Sequence, residues 1–435
     1  MATMIAPVPS GYCMNSDPLK ICLLSYRSNP HSGGQGVYLK NLSRALKDLG
    51  HDVTVVTGPP DPQLDRDIPV VRVPCLDLYN PEDPFRVPTL SELSRPVNLI
   101  EWLGVSTTGF PEPFTFGLRV YRLLAGRRNG YDIVHDNQSL SYGVWAIARK
   151  TPTVATIHHP ITVDRDLAVR SVSTLWEKFK HLRWHSFIRM QKVVARTLNP
   201  IITVSEKARQ DIGRDFTIPA DRFRVVFNGI DLDRFHPVPE IPRESNRIIA
   251  TNSSDTPLKG LHYLIEAVAR IAARRPLKLQ IIGELKKGGD IDRLIHGLGI
   301  GPVVQFTGRI SHSDFVRQYA KASMAVVPSI YEGFGLPVGE AMACGVPVIS
   351  TTGGALPEVV GDAGILVPPA DPEALAEAML NLIDHPGRAA ALGRAGRDRV
   401  QRRFTWKRAA QNTVDVYREV VCDHHRFQTD RPFSG

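Results

Sequence analysis

The sequence contains few cysteines and no long apolar run. Its five cysteines among 435 residues are far apart, odd in number and without CxxC spacing. This excludes a cysteine-built zinc site and predicts reduced thiols in a cytoplasmic protein. No window approaches the roughly 18 uninterrupted apolar residues of a membrane-spanning helix. The first twenty residues lack a basic start followed by an apolar run, so they do not resemble a signal peptide.

What is present describes a globular, basic protein. Hydrophobic residues make up 43% of the chain and charged residues 22%, which excludes disorder as its general state. The formal net charge is +9. The length allows two to three domains of ordinary size.

Alternating strand and helix patterns begin twice. KICLLSY from Lys20, an amphipathic stretch ending at Gly50, and HDVTVVTG predict strand, helix and strand, which is the unit of a parallel sheet. Further short apolar runs follow: PVVRV, YDIVHD, PTVATIHH and PIITVS. A second series opens at Asn246 with six such runs and an amphipathic helix after the first. The sequence therefore predicts an α/β protein with two sheets.

The stretch 227–245 between the two series is rich in Pro and Asp and has little periodicity, so it is the best linker candidate. We expect an N-terminal domain over 1–227 with a disordered tail over about 1–18, and a second domain over 228–404. A final helix over 405–435 is expected to pack back toward the N-terminal domain. In such domains ligands bind at the carboxyl ends of the strands.

A glycine-rich segment, Ser28 to Tyr38, follows the first strand. Gly33, Gly34 and Gly36 would allow a ligand close to the backbone, and the next helix offers its N-terminus to phosphate. The alternative is an ordinary surface turn. A dinucleotide fingerprint is excluded, because Leu39 stands where its third glycine belongs.

Two histidines, His158 and His159, end another predicted strand. Adjacent strand residues point to opposite faces, so at most one is expected to face a cleft from a regular strand. His135 and Asp136 form a second polar strand end. No His-x-His or HExxH pattern supports a metal there.

The most informative stretch is Ser329 to Ser350, SIYEGFGLPVGEAMACGVPVIS. It predicts a strand, a tight loop carrying Glu332, and a short helix carrying Glu340 that ends at Gly345. A carboxylate on such a helix can accept hydrogen bonds from ribose or sugar hydroxyls. A solvated acid pair, the alternative, fits poorly with the apolar and glycine neighbours.

Glu332 to Glu340 resembles the E-x7-E signature of retaining glycosyltransferases, and the chain resembles their family 4, which has the GT-B fold. The resemblance covers nearly the whole chain. It includes the early glycine loop, the strand-end histidine, FNGIDLDRF, PLKG, GVPVISTTGGALPEVV and RFTW. It implies two Rossmann-like domains facing across a cleft.

The resemblance also implies roles for individual residues. Gly33 and Gly34 would offer backbone N–H groups to the donor diphosphate, and Lys259 would neutralise it. His158 would lie by the transferred sugar, and Glu332 would hold the hydroxyls of that sugar. The backbone of Phe334, Gly335 and Leu336 would contact sugar and phosphate, and Glu340 would bind the ribose.

One position departs from the family pattern. Ser253 stands where family members commonly have an arginine that also binds the diphosphate. A serine gives one neutral hydrogen bond, which is weaker than a guanidinium contact. Lys259 would then carry more of the charge, or Arg309 would contribute.

The function implied is transfer of a hexose from a UDP- or GDP-linked sugar to a lipid, glycan or other hydroxyl acceptor, with retention of configuration. Fixed N–H groups and a lysine can stabilise the leaving diphosphate, so no metal or other cofactor is expected. The alternative is a catalytically degenerate nucleotide-sugar-binding protein of the same fold, for which Ser253 is the only sign.

A basic, aromatic segment spans residues 170–196. It carries seven Lys and Arg residues against Glu177, a local charge of +6, and Trp176, Phe179, Trp184, Phe187, Ile188 and Val194 lie among them. An interfacial helix that holds the enzyme at the inner face of the plasma membrane is one interpretation. A cleft-rim helix with a solvated basic face and a buried aromatic face is the other. Nothing resembles a nucleic-acid-binding fold.

Overall fold

The computed structural model describes residues 17–28, 34–80, 83, 86–126, 130–252 and 256–429. Each half of this part of the chain forms one sheet whose strands all run parallel. The predicted α/β architecture with two Rossmann-like domains is confirmed.

The first sheet has seven strands in the order β3-β2-β1-β4-β5-β6-β7. They are β1 (Lys20–Ser25), β2 (Asp52–Thr57), β3 (Val70–Arg72), β4 (Ile133–Asn137), β5 (Thr153–Ile157), β6 (Ile201–Thr203) and β7 (Phe223–Val225). The helices between and beside them are α1 (Gly34–Asp48), α2 (Leu90–Leu93), α3 (Pro96–Ser106), α4 (Glu112–Ala125), α5 (Tyr142–Ala148), α6 (Thr162–Arg170), α7 (Leu175–Trp184), α8 (Ile188–Ala195) and α9 (Glu206–Phe216).

The second sheet has six strands in the order β10-β9-β8-β11-β12-β13. They are β8 (Arg247–Thr251), β9 (Lys278–Ile282), β10 (Val304–Phe306), β11 (Met324–Val327), β12 (Val348–Thr351) and β13 (Ile365–Val367). Its helices are α10 (Leu261–Ala272), α11 (Asp290–Gly297), α12 (His312–Lys321), α13 (Leu336–Ala343), α14 (Leu356–Val360), α15 (Pro372–Asp384) and α16 (Pro386–Arg403), and α17 (Trp406–Thr429) is the last helix of the described residues.

Burial on both faces explains why the strands appear in the sequence as continuous apolar runs. Five of the six residues of β1 are buried, and so are all four of β11 and all five of β5. Helices cover each sheet on both sides, so neither face reaches water. Strand β7 has no counterpart among the predicted strands, because its three residues lie just before the irregular linker and give little periodic signal.

The chain crosses from one domain to the other twice, and the two crossings lie side by side. The N–H of Ile230, on the outward passage, donates to the carbonyl of Phe404 on the return at 2.8 Å. Helix α17 then packs along α1, and its buried Ala410, Tyr417 and Val420 join the same apolar cluster as Leu39 of α1. The last helix of the chain therefore completes the core of the N-terminal half.

One expectation is corrected by the structure. Residues 170–196 do not form one interfacial helix: α7 and α8 are separated by a 3-10 turn over His185–Phe187, and Ile188 and Val194 are buried in the core. Cys22, Cys75 and Cys344 are free thiols.

Among the helices of the described residues, none is both long and apolar enough to cross a membrane.

Candidate active site

Both sheets reverse their strand order next to their first strand, between β1 and β4 and between β8 and β11. In doubly wound sheets, ligands bind at the carboxyl edge beside such a reversal. The polar segments singled out from the sequence follow the strands at these two places: Gly34 follows β1, Lys259 follows β8, and Glu332 follows β11.

The segments that follow β5 and β11 touch. A side-chain carbon built at Gly333 would lie 2.5 Å from the carbonyl oxygen of His158, so only glycine permits this approach. A carbon built on Gly34 would be 4.0 Å from the side chain of Leu336. The carboxyl edges of the two sheets therefore face one another across a cleft.

Lys259 and Glu332 form an ion pair in the cleft. The Lys259 Nζ lies 2.7 Å from Glu332 Oε1, and the exposed fractions of their side chains are 30% and 13%. Ser329 Oγ donates to the same oxygen at 2.9 Å. The pair brings one positive and one negative group together beside the strand reversal.

The backbone of the Glu332 loop is fixed within its own domain. The Glu332 carbonyl accepts a hydrogen bond from the N–H of Ala355 at 2.9 Å. The Phe334 ring is buried and lies 5.7 Å, edge to face, from the ring of Phe404. Phe334 therefore anchors the loop through its side chain, which leaves only its backbone for contact with a ligand.

Helix α13 begins at the end of this loop. Its N-cap, Gly335, has φ +101°, a conformation that favours glycine and allows the sharp entry into the helix. Gly34 begins α1 close by, so two helix N-termini meet at the cleft. The positive ends of two helix dipoles favour an anion there.

Glu340 lies on the second turn of α13 and is half-buried. Burial raises the pKa of its carboxyl group to about 7, the positive charge of Arg234 opposes that rise, and the negative charge of Asp231 adds to it. A carboxyl group in this state can take up or release a proton near neutral pH.

His158 lies just after β5 and is clamped at backbone and ring. The Gln138 side chain accepts from the His158 N–H at 2.8 Å and donates to the His159 carbonyl at 3.2 Å. The His158 Nε2 is 2.7 Å from Asn137 Oδ1, and the ring packs edge to face on Tyr38 at 4.7 Å. These contacts fix the carbonyl of His158 against Gly333.

Burial is the main cause that lowers the pKa of His158 to about 3, with smaller contributions from the neighbouring His159 and His135. The ring is therefore neutral at physiological pH and cannot act as a general acid there. It can accept or donate one hydrogen bond and shape the cleft.

The other two histidines singled out from the sequence, His159 and His135, have hydrogen-bond partners within the fold. His159 Nε2 is 2.7 Å from Asp164 Oδ2. His135 is buried between the hydroxyl of Tyr417, at 2.6 Å, and the hydroxyl of Thr156, at 2.7 Å. Among the residues that the structure describes, no cluster of three or more His, Cys, Asp or Glu side chains could hold a metal ion.

Not every predicted residue joins the site. The Arg309 side chain is 88% exposed and pairs with Glu284 at 3.3 Å, so the structure does not bring it to the Lys259–Glu332 pair. Gly33 and Ser253 lie outside the described residues.

Sequence reasoning missed the contacts that join the domains around the site. Ser205 Oγ donates to the Gly333 carbonyl at 2.8 Å, and the Tyr331 hydroxyl donates to Asp211 at 3.0 Å. The Glu358 carboxylate accepts from the N–H groups of Glu206 and Lys207 at 2.8 and 2.7 Å. Glu358 lies in the quoted GGALPEVV run, but no local pattern indicates its partner in the other domain.

Two doubly wound domains with facing carboxyl edges define the GT-B class of glycosyltransferases. The family description "Glycosyltransferase Family 4" matches residues 32–234, and "Glycosyl transferases group 1" matches residues 245–385. The chain belongs to glycosyltransferase family 4, and it is a glycosyltransferase.

Similar proteins cover nearly the whole chain. An MMP alpha-(1->4)-mannosyltransferase of Mycolicibacterium hassiacum is 45% identical over 409 residues, which are 93% of this chain and 99% of that protein. A D-inositol 3-phosphate glycosyltransferase 2 of Catenulispora acidiphila is 30% identical, with 94% and 97% covered.

Among solved structures, sucrose-phosphate synthase from Thermosynechococcus elongatus has a TM-score of 0.71 at 25% identity, covering 93% of this chain and 99% of that one. Anabaena HepE, in complex with UDP-glucose, has a TM-score of 0.66 at 18% identity, covering 92% and 99%. The predicted GT-B fold is confirmed.

Proposed function

We propose that this chain is a retaining hexosyltransferase that moves mannose, from a GDP- or UDP-linked donor, onto a hydroxyl group of a glycan or lipid acceptor. The observation that carries the proposal is the Lys259–Glu332 ion pair, 2.7 Å long, beside the strand reversal of the C-terminal sheet. Mannose is chosen because the relative at 45% identity is named an α-mannosyltransferase.

In this proposal the donor lies between the two helix N-termini. Lys259 and the N-terminus of α13 offset the negative charge of the diphosphate, which grows as the sugar leaves. Glu332 accepts hydrogen bonds from the sugar hydroxyls, and Glu340 accepts those of the ribose. The UDP-glucose complex of Anabaena HepE, a protein of the same fold, supports a nucleotide-sugar donor.

The reaction breaks the bond between the anomeric carbon and the diphosphate oxygen and forms one to the acceptor oxygen on the same face. The acceptor hydroxyl proton passes to the departing phosphate. His158 stays neutral and positions its carbonyl and ring beside the sugar. Because Lys259 and the helix N-termini supply positive charge, no metal ion is required, and a chelator should leave the rate unchanged.

A donor panel tests the proposal. GDP-, UDP- and ADP-linked mannose and glucose are compared by thermal shift and by sugar transfer to mannosides, with Glu332→Gln as the control variant. We expect one donor to raise the melting temperature and to support transfer with an α-linked product. Donor binding without transfer to any acceptor would instead favour the degenerate binding protein, and an inverted product would refute retention.

We further propose that α7 contacts an anionic lipid surface at the inner face of the membrane. Leu175, Trp176, Phe179 and Leu182 are 84%, 61%, 53% and 51% exposed, which is unusual for large apolar side chains. Lys178, Lys180 and Arg183 lie on the same helix, and Lys180 Nζ lies over the Trp176 ring at 5.4 Å. Apolar insertion and attraction to acidic headgroups would then act together.

Vesicle sedimentation tests the lipid contact. The protein should bind anionic vesicles more than neutral ones, and salt should release it, because attraction decays within roughly 8 Å at physiological ionic strength. Replacing Trp176 and Phe179 with Ser should abolish binding, whereas Leu298→Ser, which changes a 41% exposed residue of the other domain, should not. Equal binding to both vesicle types, or to neither, would contradict the proposal and favour a rim helix.

A further inference from the structure

The two neighbours of Glu332 are both bonded to the other domain. On one side, the Tyr331 hydroxyl donates to Asp211 Oδ2 at 3.0 Å. On the other, the Gly333 carbonyl accepts from Ser205 Oγ at 2.8 Å. Asp211 lies on α9 and Ser205 is its N-cap, so one helix of the N-terminal domain holds the loop at both sides of Glu332.

Helix α9 is well fixed at the end that makes these contacts. Ser205 Oγ also accepts from the N–H of Ala208 at 3.0 Å, and the Glu358 carboxylate caps the N–H groups of the first turn from across the cleft. A carboxylate at a helix N-terminus gains from charge-assisted hydrogen bonds and from the helix dipole.

Asp211 is held in one orientation. Lys207 Nζ lies 2.8 Å from Asp211 Oδ1 and an Arg214 nitrogen lies 3.3 Å from the same atom, which leaves Oδ2 to receive the Tyr331 hydroxyl. The Asp211 side chain is almost fully buried. The contact with Tyr331 is therefore shielded from water, where a hydrogen bond is stronger than on the surface.

Among the residues that the structure describes, the hydrogen-bond partners of the Glu332 side chain are Lys259 and Ser329, both in its own domain. The bond from the Ala355 N–H to the Glu332 carbonyl fixes the loop within its own domain, and the contacts of Tyr331 and Gly333 with α9 set where that loop lies relative to His158 in the other domain. We propose that Ser205, Asp211 and Tyr331 are positioning residues of the transfer reaction, which hold Glu332 in place against the transferred sugar. This inference rests on the role proposed above for Glu332.

The test compares Ser205→Ala and Tyr331→Phe with Ser311→Ala. Ser311 is also a helix N-cap, accepting from the N–H of Asp314 at 3.1 Å, and within the described part of the chain its hydroxyl contacts Ser313 and Asp314 of its own domain. Both serine variants should lose similar thermal stability, because both lose a cap. Only Ser205→Ala and Tyr331→Phe should lower kcat/KM for transfer, by about 3- to 10-fold each, the effect of one hydrogen bond.

A second measurement separates positioning from a general loss of structure. If the two residues act through Glu332, their effects should disappear in a Glu332→Gln background, because interacting residues are not additive. Affinity for the free nucleoside diphosphate, which does not touch the sugar site, should stay within twofold of the wild type. Tyr331→Phe keeps every cap intact, so it remains informative if Ser205→Ala folds poorly.

The inference is overturned if Ser205→Ala and Tyr331→Phe transfer sugar at the wild-type rate, or lower the rate equally in the wild-type and Glu332→Gln backgrounds. Wild-type activity of Glu332→Gln itself would overturn the proposed role of Glu332, and the positioning inference with it. The outcomes for Ser205→Ala and Tyr331→Phe leave the proposed function unaffected. A failure of the positioning inference can therefore be told apart from a failure of the role of Glu332.

Discussion

Removal of the Lys259 charge tests the electrostatics of the site most directly. In the structure the Lys259 ammonium lies 2.7 Å from Glu332 and is 30% exposed, so it is partly shielded from water. A lysine charge and one negative charge of the donor diphosphate, placed 4 Å apart, would attract each other by about 4 kcal/mol at an effective dielectric constant of about 20. Solvent weakens this attraction, and the positive end of the α13 dipole still favours the diphosphate when Lys259 is removed. We therefore expect Lys259→Ala to cost about 2–4 kcal/mol in transition-state binding.

This free energy corresponds to a fall of roughly 30- to 1,000-fold in kcat/KM for sugar transfer. Lys259→Met, which keeps most of the length of the side chain, should lose nearly as much if the charge rather than the stem matters. Lys47→Ala is the matched control, because Lys47 Nζ also forms a 2.7 Å ion pair, with Asp67, but on a more exposed surface. Transfer is measured at saturating acceptor over a range of donor concentrations.

The reasoning would be refuted by unchanged kinetics in Lys259→Ala, which would mean that the diphosphate is neutralised elsewhere. An equal loss in Lys47→Ala would refute it too, since that would indicate a dependence on net charge rather than on the cleft. Circular dichroism and thermal melting of each variant exclude loss of folding as the cause.

Three further results are expected. Glu332→Gln should lower transfer by about 2–3 orders of magnitude with little change in melting temperature, and wild-type turnover would contradict the sugar contact. Burial raises the pKa of Glu340 from an ordinary 4.5 to about 7, so the folded state favours the protonated carboxyl group. The contribution of Glu340 to the free energy of unfolding therefore falls as the pH rises from about 4.5 to about 7. The ionised form is the better acceptor for ribose hydroxyls, so donor affinity should rise up to about tenfold from pH 6 to pH 8, and in Glu340→Gln it should not. Tyr417→Phe should destabilise the N-terminal half by about 1–3 kcal/mol, because it leaves a buried ring nitrogen of His135 without its 2.6 Å partner, whereas Tyr142→Phe, at a 44% exposed site, should be neutral in thermal melting.

The sequence indicated the Glu332 loop correctly because its signals are local. A strand, glycines and a short helix within twenty-two residues predict where Glu332 and Glu340 stand, and the structure has the strand, loop and helix in that order. Short parallel strands likewise appear as apolar runs wherever both sheet faces are covered. Strand β7 gave too short a run to be recognised.

Local sequence patterns gave wrong expectations of which side chains are exposed wherever burial depends on residues far away in the sequence. The sequence interpretation of 170–196 as an interfacial helix places Ile188 and Val194 beside Trp176 among the basic residues, yet Ile188 and Val194 are buried in the core of the N-terminal half. A basic and aromatic composition alone does not tell which rings face solvent. His135 and Asp136 similarly appeared as a polar strand end, but both are buried and hydrogen-bonded within the fold.

The sequence by itself determined the two α/β halves, the family and the two acidic residues of the signature, since each depends on residue type and spacing along the chain. Only the tertiary structure decided that Lys259 pairs with Glu332, 73 residues away, and that Arg309 does not. It also decided that α9 holds the Glu332 loop through Ser205 and Asp211. Contacts between separate domains depend on how the surfaces of two folded domains pack against each other. No periodicity within either sequence segment specifies that packing.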